Sequence, residues 1–538
     1  MKKVCLLILA LVTLETFSQN LNKPKIVIGL VVDQMRWDYL YRFQSKYGKD
    51  GFNRLLSQGY VCEFAHYNYV PTYTAPGHTS IYTGSVPAIH GIIGNDWYDK
   101  NSKNEIYCVS DSNYQSVGTT SGDGKKSPYN MLTTTIGDEL KISNGNHSKV
   151  IGIAIKDRSA ILPAGHSADA AYWLDSKTGQ WITSSYYRNN LPDWLEKENQ
   201  VIRQSKSSVS GWNTILSLDQ YAESTKDNVS WEGSYKSEKE PVFPHDLSQE
   251  LEKAPDILKV LPYGNTMTLN AAKAAIEGEQ LGKGKYTDML CVSLSSTDMI
   301  QHQFGSNAIE VEDLYMRLDK DLTTFISYLD IQFGRANYVL FLTADHGGAN
   351  NASFLRSYKI PGGNEISKTF GQQIDSFISK NYGDNKVIAD ITNQQVYFDH
   401  DALNNDETKI SELKSRLSSY IKSIPGVADV IDLQKVSAVT MPERYKTMIT
   451  NSYNAQRSGD LYIVLQPAWM EDFLKGTTHG TQYAYDTHIP IIFFGGNIKP
   501  AKDYSEVNIT DIAPTISALL KLQEPNGSIG KPVQGIFK

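Results

Sequence analysis

The chain has 538 residues, 40% of them hydrophobic, with 52 basic and 59 acidic side chains and a formal net charge of -7. That length exceeds one ordinary domain, and the apolar fraction rules out a disordered chain. The acidic balance excludes a general nucleic-acid surface, because phosphate-backbone binding needs a basic face. Any anion site must be local.

The first residues carry Lys2 and Lys3, then the apolar run VCLLILALVTL, then a small-residue exit over residues 16–19. This order predicts a secretory signal cleaved near residue 19 and a periplasmic or secreted mature protein. The run is short for a membrane span, and no later stretch reaches about 20 apolar residues, so no membrane span is expected. Beyond the leader stand Cys62, Cys108 and Cys291. Cys62 and Cys108 could pair, whereas Cys291, inside the apolar MLCVSLSS, reads as a buried thiol.

Nearly continuous apolar, β-branched runs at 25–32, 149–155, 288–295, 338–344 and 489–495 predict strands buried on both faces. Helical stretches at 268–281 and 309–330 fall between them. The pattern predicts an α/β fold with a doubly wound, mostly parallel sheet, built from core segments 20–165, 251–357 and 461–538. Two segments interrupt the rhythm. Residues 166–250, rich in Trp, Tyr, Ser and Asn, are expected to form hairpins and loops lining an entrance, and 358–460 a small strand-helix-strand cap.

In such sheets sites form beyond the carboxyl ends of strands, where Asp33, Lys156, Asp298 and Asp345 all fall. Asp298 and His302 are four apart, so one helical turn puts both on one side. Asp345 and His346 are adjacent in TADHGG, and His479 lies in TTHG. Aspartate oxygens mixed with imidazole nitrogens suit zinc better than magnesium or calcium. The segment YTAPGHTSIYTG, residues 73–84, offers Thr74 ahead of a helix expected to begin near Pro76. A divalent cation can strip the proton of a threonine hydroxyl and make it a nucleophile. Thr72, Thr79 and Ser80 are rivals, and Thr74 could instead cap the helix. His66, His78 and His90 are assigned to packing or hydrogen bonding.

These segments, together with GLVVDQMRWDYL, SVPAIHGIIGNDWY, IAIKDRSAI, SSTDMIQHQFG, TQYAYDTHIPIIFFG and ITDIAPTISALL, resemble the alkaline phosphatase superfamily. The likeness is to its nucleotide pyrophosphatase/phosphodiesterase-like branch, and within that to the bacterial phosphate-irrepressible alkaline phosphatases. The resemblance implies two zinc ions: one held by Asp33, Asp345 and His346 beside Thr74, the other by Asp298, His302 and His479. The family pattern places the last ligand in a His-Gly pair, which favours His479 over His488. Asn95 is implied as a donor to a phosphoryl oxygen.

Lys156 and Arg158 stand two apart after a strand, so both can point to one face. Related phosphomonoesterases use such a Lys-x-Arg pair on the substrate, and diesterase relatives lack it. Two zinc ions, three aspartates, a threonine alkoxide and this pair sum to +2, which balances a monoester dianion. Charge-assisted hydrogen bonds of about 1.5 to 3 kcal/mol each then separate monoester from diester by roughly two powers of ten. The expected reaction is ping-pong hydrolysis of small-molecule phosphate monoesters through a phosphothreonine, by a monomer. The nearest rival is a phosphodiesterase or nucleotide pyrophosphatase on the same fold. A sulfatase lacks its Cys/Ser-x-Pro-x-Arg motif here, a phosphoglycerate mutase fits the leader poorly, and a surface-binding protein using the aromatic segment would need no metal.

Overall fold

The computed structural model describes residues 23–538 apart from 206–208, 364–365, 384–385 and 471–473. The expected leader lies outside the described residues. Among the described residues no helix is long and apolar enough to cross a membrane.

A ten-stranded sheet forms the centre. In chain order its strands are β1 (Ile26–Val32), β2 (Tyr60–His66), β3 (Ser116–Val117), β4 (Val150–Ala154), β5 (Ala170–Leu174), β6 (Trp181–Ser184), β7 (Asp288–Leu294), β8 (Tyr338–Thr343), β9 (Ile491–Gly495) and β10 (Ala501–Asn508). Their spatial order is β10-β2-β9-β8-β1-β7-β4-β5-β6-β3. The five central strands β8, β1, β7, β4 and β5 run parallel. On one side of them β9 is antiparallel to both β8 and β2, and on the other β6 is antiparallel to β5. Every residue of β1, β4, β7 and β8 is buried, which is why each reads as an unbroken apolar run. The mostly parallel α/β sheet expected from the sequence is present.

Among the helices around the sheet are α1 (Thr74–Thr83), α2 (Asp157–Ala164), α3 (Tyr263–Gly278), α4 (Ser296–Phe304), α5 (Ile309–Phe333) and α6 (Ile512–Leu520), of which α1, α2 and α4 carry candidate site residues. Helix α1 is buried along its whole length.

Three regions differ from the sequence reading. Strands β5 and β6 lie within 166–250 yet join the central sheet, with Tyr172 and Trp181 buried, while Trp173 and the residues that follow it, Leu174, Asp175 and Ser176, line a cavity. Burying large rings stabilises a core more than it serves a solvated loop. Residues 388–465 build a separate four-stranded antiparallel sheet, in which Leu461–Leu465 lies between Gln395–Phe398 and Val427–Asp432. Its helices Ile366–Tyr382 and Glu407–Ile421 bury Ile374, Leu413 and Leu417 in a core of their own. Finally, Cys62 and Cys108 are both free and buried. Cys62 packs in the main core and Cys108 in a distinct cluster with Trp97, so no bond joins them.

Candidate metal centre

The parallel strands deliver their carboxyl ends to one place. Asp33 follows β1, and its amide donates to Leu294 O at the end of β7. The next residue, Gln34, has φ of 61°, a left-handed turn that a non-glycine adopts at a cost and that swings the chain off the strand axis. Its amide donates to Asp345 Oδ1 at 3.1 Å, tying the β1 end to the β8 end. Asp298 and His302 both sit on α4, one turn apart, as their spacing predicts.

Thr74 is the first residue of α1, and Tyr73 holds the cap position with extended backbone. The helix thus begins two residues earlier than Pro76, which is tolerated in a first turn where no amide is needed. The hydroxyl Oγ1 of Thr74 lies 3.4 Å from His346 Nε2. Its rivals are occupied elsewhere: Thr72 donates to Thr481 O at 3.1 Å, Thr79 to Ala75 O at 2.7 Å, and Ser80 meets His90 at 3.1 Å. Close approach of α1 to the loop after β8 requires Gly77, because a Cβ there would come within 2.3 Å of Asp345 O. His78 fastens the helix, with Nδ1–H donating to Thr74 O at 2.9 Å and Nε2 meeting Ser293 Oγ at 2.8 Å. His66 meets Thr487 Oγ1, and His488 meets Glu63 O and stacks on Trp37, away from this cluster.

Three imidazoles converge with the three carboxylates. His346 Nε2 is 3.4 Å from Asp345 Oδ2, 3.6 Å from Asp33 Oδ1 and 4.0 Å from Asp298 Oδ1. Asp298 Oδ1 is also 3.2 Å from His302 Nε2 and 3.7 Å from His479 Nε2. The other ring nitrogens are all anchored on backbone carbonyls: His302 Nδ1 on Thr477 O at 2.7 Å, His346 Nδ1 on Gly347 O at 2.9 Å, and His479 Nδ1 on Thr72 O at 2.7 Å. A carbonyl accepts, so each Nδ1 carries the hydrogen and each Nε2 turns a lone pair toward the carboxylates. Lone pairs facing carboxylate oxygens in a dry pocket repel unless cations lie between them.

Further features fit cations. Asp33 Oδ1 and Asp345 Oδ2 are buried without a hydrogen-bond partner. Burial, with the Asp298 and Asp345 charges, pushes Asp33 well above the ordinary carboxylate range. Burial holds His479 well below the usual imidazole value. Burial also opposes the charge on Asp298, and Lys156 Nζ, 2.6 Å from its Oδ2, offsets that cost. Two trios have ligand atoms within 4.8 Å of one another: Asp33, Asp345 and His346, and Asp298, His346 and His479. His346 belongs to both, and His302 reaches the second through Asp298.

Lys156 and Arg158 lie past the end of β4, at the start of α2, so strand alternation does not set their directions. Both nevertheless line one cavity of about 350 Å³. Lys156 Nζ bridges Asp33 Oδ2 at 2.7 Å and Asp298 Oδ2 at 2.6 Å, neutralising one of three buried carboxylates. Arg158 donates from Nη1 to Tyr107 Oη at 3.2 Å, and its buried Nε has no partner. Asn95 accepts Ala75 N–H on Oδ1 at 2.9 Å, which leaves its NH2 as the group able to meet a ligand. That bond also consumes one of the first amides of α1. Gln34 and Tyr107 escaped the sequence reading, since neither a glutamine after an aspartate nor a tyrosine ending a short polar strand carries a recognisable pattern.

The sequence profile described as type I phosphodiesterase / nucleotide pyrophosphatase matches residues 27–485. The chain belongs to that family. Within it, the chain is 45% identical to alkaline phosphatase PafA of Elizabethkingia meningoseptica, over 96% of this chain and 95% of the relative. It is 46% identical to alkaline phosphatase PhoV of Synechococcus elongatus, over 97% and 95% respectively. The crystal structure of wild-type PafA superposes with a TM-score of 0.93 at 44% identity, covering 96% of this chain and 99% of that one.

Proposed function

We propose that the protein is an exported alkaline phosphatase that hydrolyses phosphate monoesters to an alcohol and inorganic phosphate at a two-zinc site. The observation that carries this reading is the convergence of three anchored imidazoles on three buried carboxylates, with the Thr74 hydroxyl 3.4 Å from His346 and with Lys156, which walls a cavity together with Arg158, bridging two of those carboxylates. The relatives named alkaline phosphatase, matched along almost their whole length, support the same chemistry. Asp33, Asp345 and His346 would hold one ion with Thr74, and Asp298, His302 and His479 the other. Such ions supply Lewis acidity and make a nearby hydroxyl a nucleophile at neutral pH.

The residues of the chain then divide the work. Gly77 and His78 fix α1 so that Thr74 Oγ1 faces the phosphorus. Thr74 Oγ1 forms the new P–O bond as the bond to the departing alcohol breaks, and water later cleaves the phosphothreonine. Asn95 NH2 and the Arg158 guanidinium donate to non-bridging phosphoryl oxygens, and Lys156 adds a positive charge at the same wall. Because phosphoryl transfer is loose, this placement and charge account for most of the rate. A diester has one charge fewer and an alkyl group where Arg158 or Lys156 expects an oxygen, which favours the monoester over the diesterase reading.

The test combines metal analysis of the purified protein with monoester and diester turnover before and after chelation. Two zinc ions per chain, a large monoester excess and loss on chelation are expected. Turnover that prefers diesters, or that survives complete metal removal, would overturn the proposal.

A further inference from the structure

Asp157 separates Lys156 from Arg158 in the chain, and the reaction proposed above gives it no part. Its Oδ1 accepts from the Tyr107 hydroxyl and, at 2.6 Å, from the Arg158 amide, while its Oδ2 lies 3.0 Å from Lys126 Nζ. Lys126 also sits over the Tyr107 ring, 4.4 Å from its centroid. A phenol has a single proton. Since Tyr107 gives that proton to Asp157, only lone pairs remain toward Arg158 Nη1, 3.2 Å away. Asp157 therefore decides which side of the hydroxyl the guanidinium meets.

Tyr107 has a second attachment. It ends the short hairpin of Asp96–Asp99 and Asn104–Tyr107, and the amide of the next residue, Cys108, donates to the carbonyl of Asn95 at 2.9 Å. One hairpin stem thus has Asn95 immediately before its first strand and Tyr107 at the end of its second. Arg158 stands on a flexible stem against a cavity of about 350 Å³, where an unbraced guanidinium has room to swing. Holding such a group within a fraction of an ångström decides whether its donors count in the transition state.

We infer that Tyr107, oriented by Asp157 and Lys126, is a positioning residue that aims Arg158 at the phosphoryl group and fixes it relative to Asn95. Selectivity for dianionic monoesters then depends on this brace, an inference that rests on the function proposed above. Tyr107→Phe and Asp157→Ala, each in wild-type and Arg158→Ala backgrounds, are assayed for kcat/KM on a monoester and a diester sharing one leaving group. Inhibition by inorganic phosphate and thermal melts are measured alongside.

Tyr107→Phe should lower monoester kcat/KM about tenfold and diester kcat/KM less than about twofold, and weaken phosphate inhibition in parallel with the monoester loss. In the Arg158→Ala background it should cost less than about twofold more, since the two act as one unit. Asp157→Asn, whose carbonyl can still accept from Tyr107, should keep more activity than Asp157→Ala. Equal losses on both esters, or losses that multiply in the double variant, would overturn the inference. If Asp157→Ala fails to fold, Tyr107→Phe, which removes one oxygen, carries the test. Arg158→Ala that spares the monoester sinks the functional reading as well; a costly Arg158→Ala beside a harmless Tyr107→Phe sinks only the brace.

Discussion

Among the described residues, two clusters of buried acids and histidines use their imidazoles in opposite ways. At the strand ends, His302, His346 and His479 place Nδ1 on backbone carbonyls and turn Nε2 to Asp33, Asp298 and Asp345. Near the start of α5, His245 instead gives Nδ1 to the Glu238 carboxylate at 2.9 Å, with Nε2 3.3 Å from Glu310. Glu310 and Glu232 are buried there with carboxyl oxygens that have no hydrogen-bond partner. Burial pushes Glu310 well above its ordinary value, and burial together with the Glu310 charge raises Glu232 to about 9. Among the described residues, the trios that converge tightly enough for a metal belong to the first cluster alone. One cluster is arranged to be neutralised by cations, the other by protons. Where the far nitrogen of each imidazole goes tells them apart.

Breaking the first cluster should have the largest consequence. Thr74→Ala should reduce kcat by about four or more powers of ten, and acid-quenched enzyme should carry no phosphate from a labelled ester. Retained turnover would remove Thr74 from its role. Chelation comes next: activity should fall to background and the melting temperature should drop, because metal binding to the native state contributes directly to its stability. Glu232→Gln should leave metal content unchanged, and a zinc loss in that variant would erase the distinction between the clusters.

A smaller effect sharpens the charge argument. Lys156→Ala and Arg158→Ala should each lower monoester kcat/KM by about a hundredfold and diester kcat/KM by less than about tenfold. Equal losses on the two substrates would show that the pair does not discriminate by charge. The smallest effect concerns the proton-neutralised cluster. Glu232 binds its proton more tightly when folded, about 9 against an ordinary 4.5, so its stabilising contribution is complete below the ordinary value and fades as pH rises through the folded one. Glu232→Gln should therefore flatten the decline in melting temperature between about pH 5 and pH 9. An unchanged slope in thermal melts would mean that this carboxyl ionises freely.

Much of the centre was legible because buried parallel strands write themselves as unbroken apolar runs, and their carboxyl ends mark where Asp33, Asp298 and Asp345 must gather. The edge was not. Strand β10 reads AKDYSEVN and is mostly exposed, so no apolar period announces it. Strands β5 and β6 hid in a Trp- and Tyr-rich stretch that resembled a loop until its rings were seen in the core. Thr72, Thr79 and Ser80 could be set aside only once their hydroxyls were seen bonded elsewhere.

The sequence by itself determined the fold class and the order in which strands deliver the aspartates and histidines of the centre, because burial and residue chemistry are local properties written in the chain. The tertiary structure alone decided that His346 stands between both carboxylate groups, that Lys156 bridges Asp33 and Asp298, and that Arg158 donates to the Tyr107 hydroxyl while that hydroxyl donates to Asp157. Those facts depend on contacts between residues far apart along the backbone, whose distances only the packed sheet and helices fix.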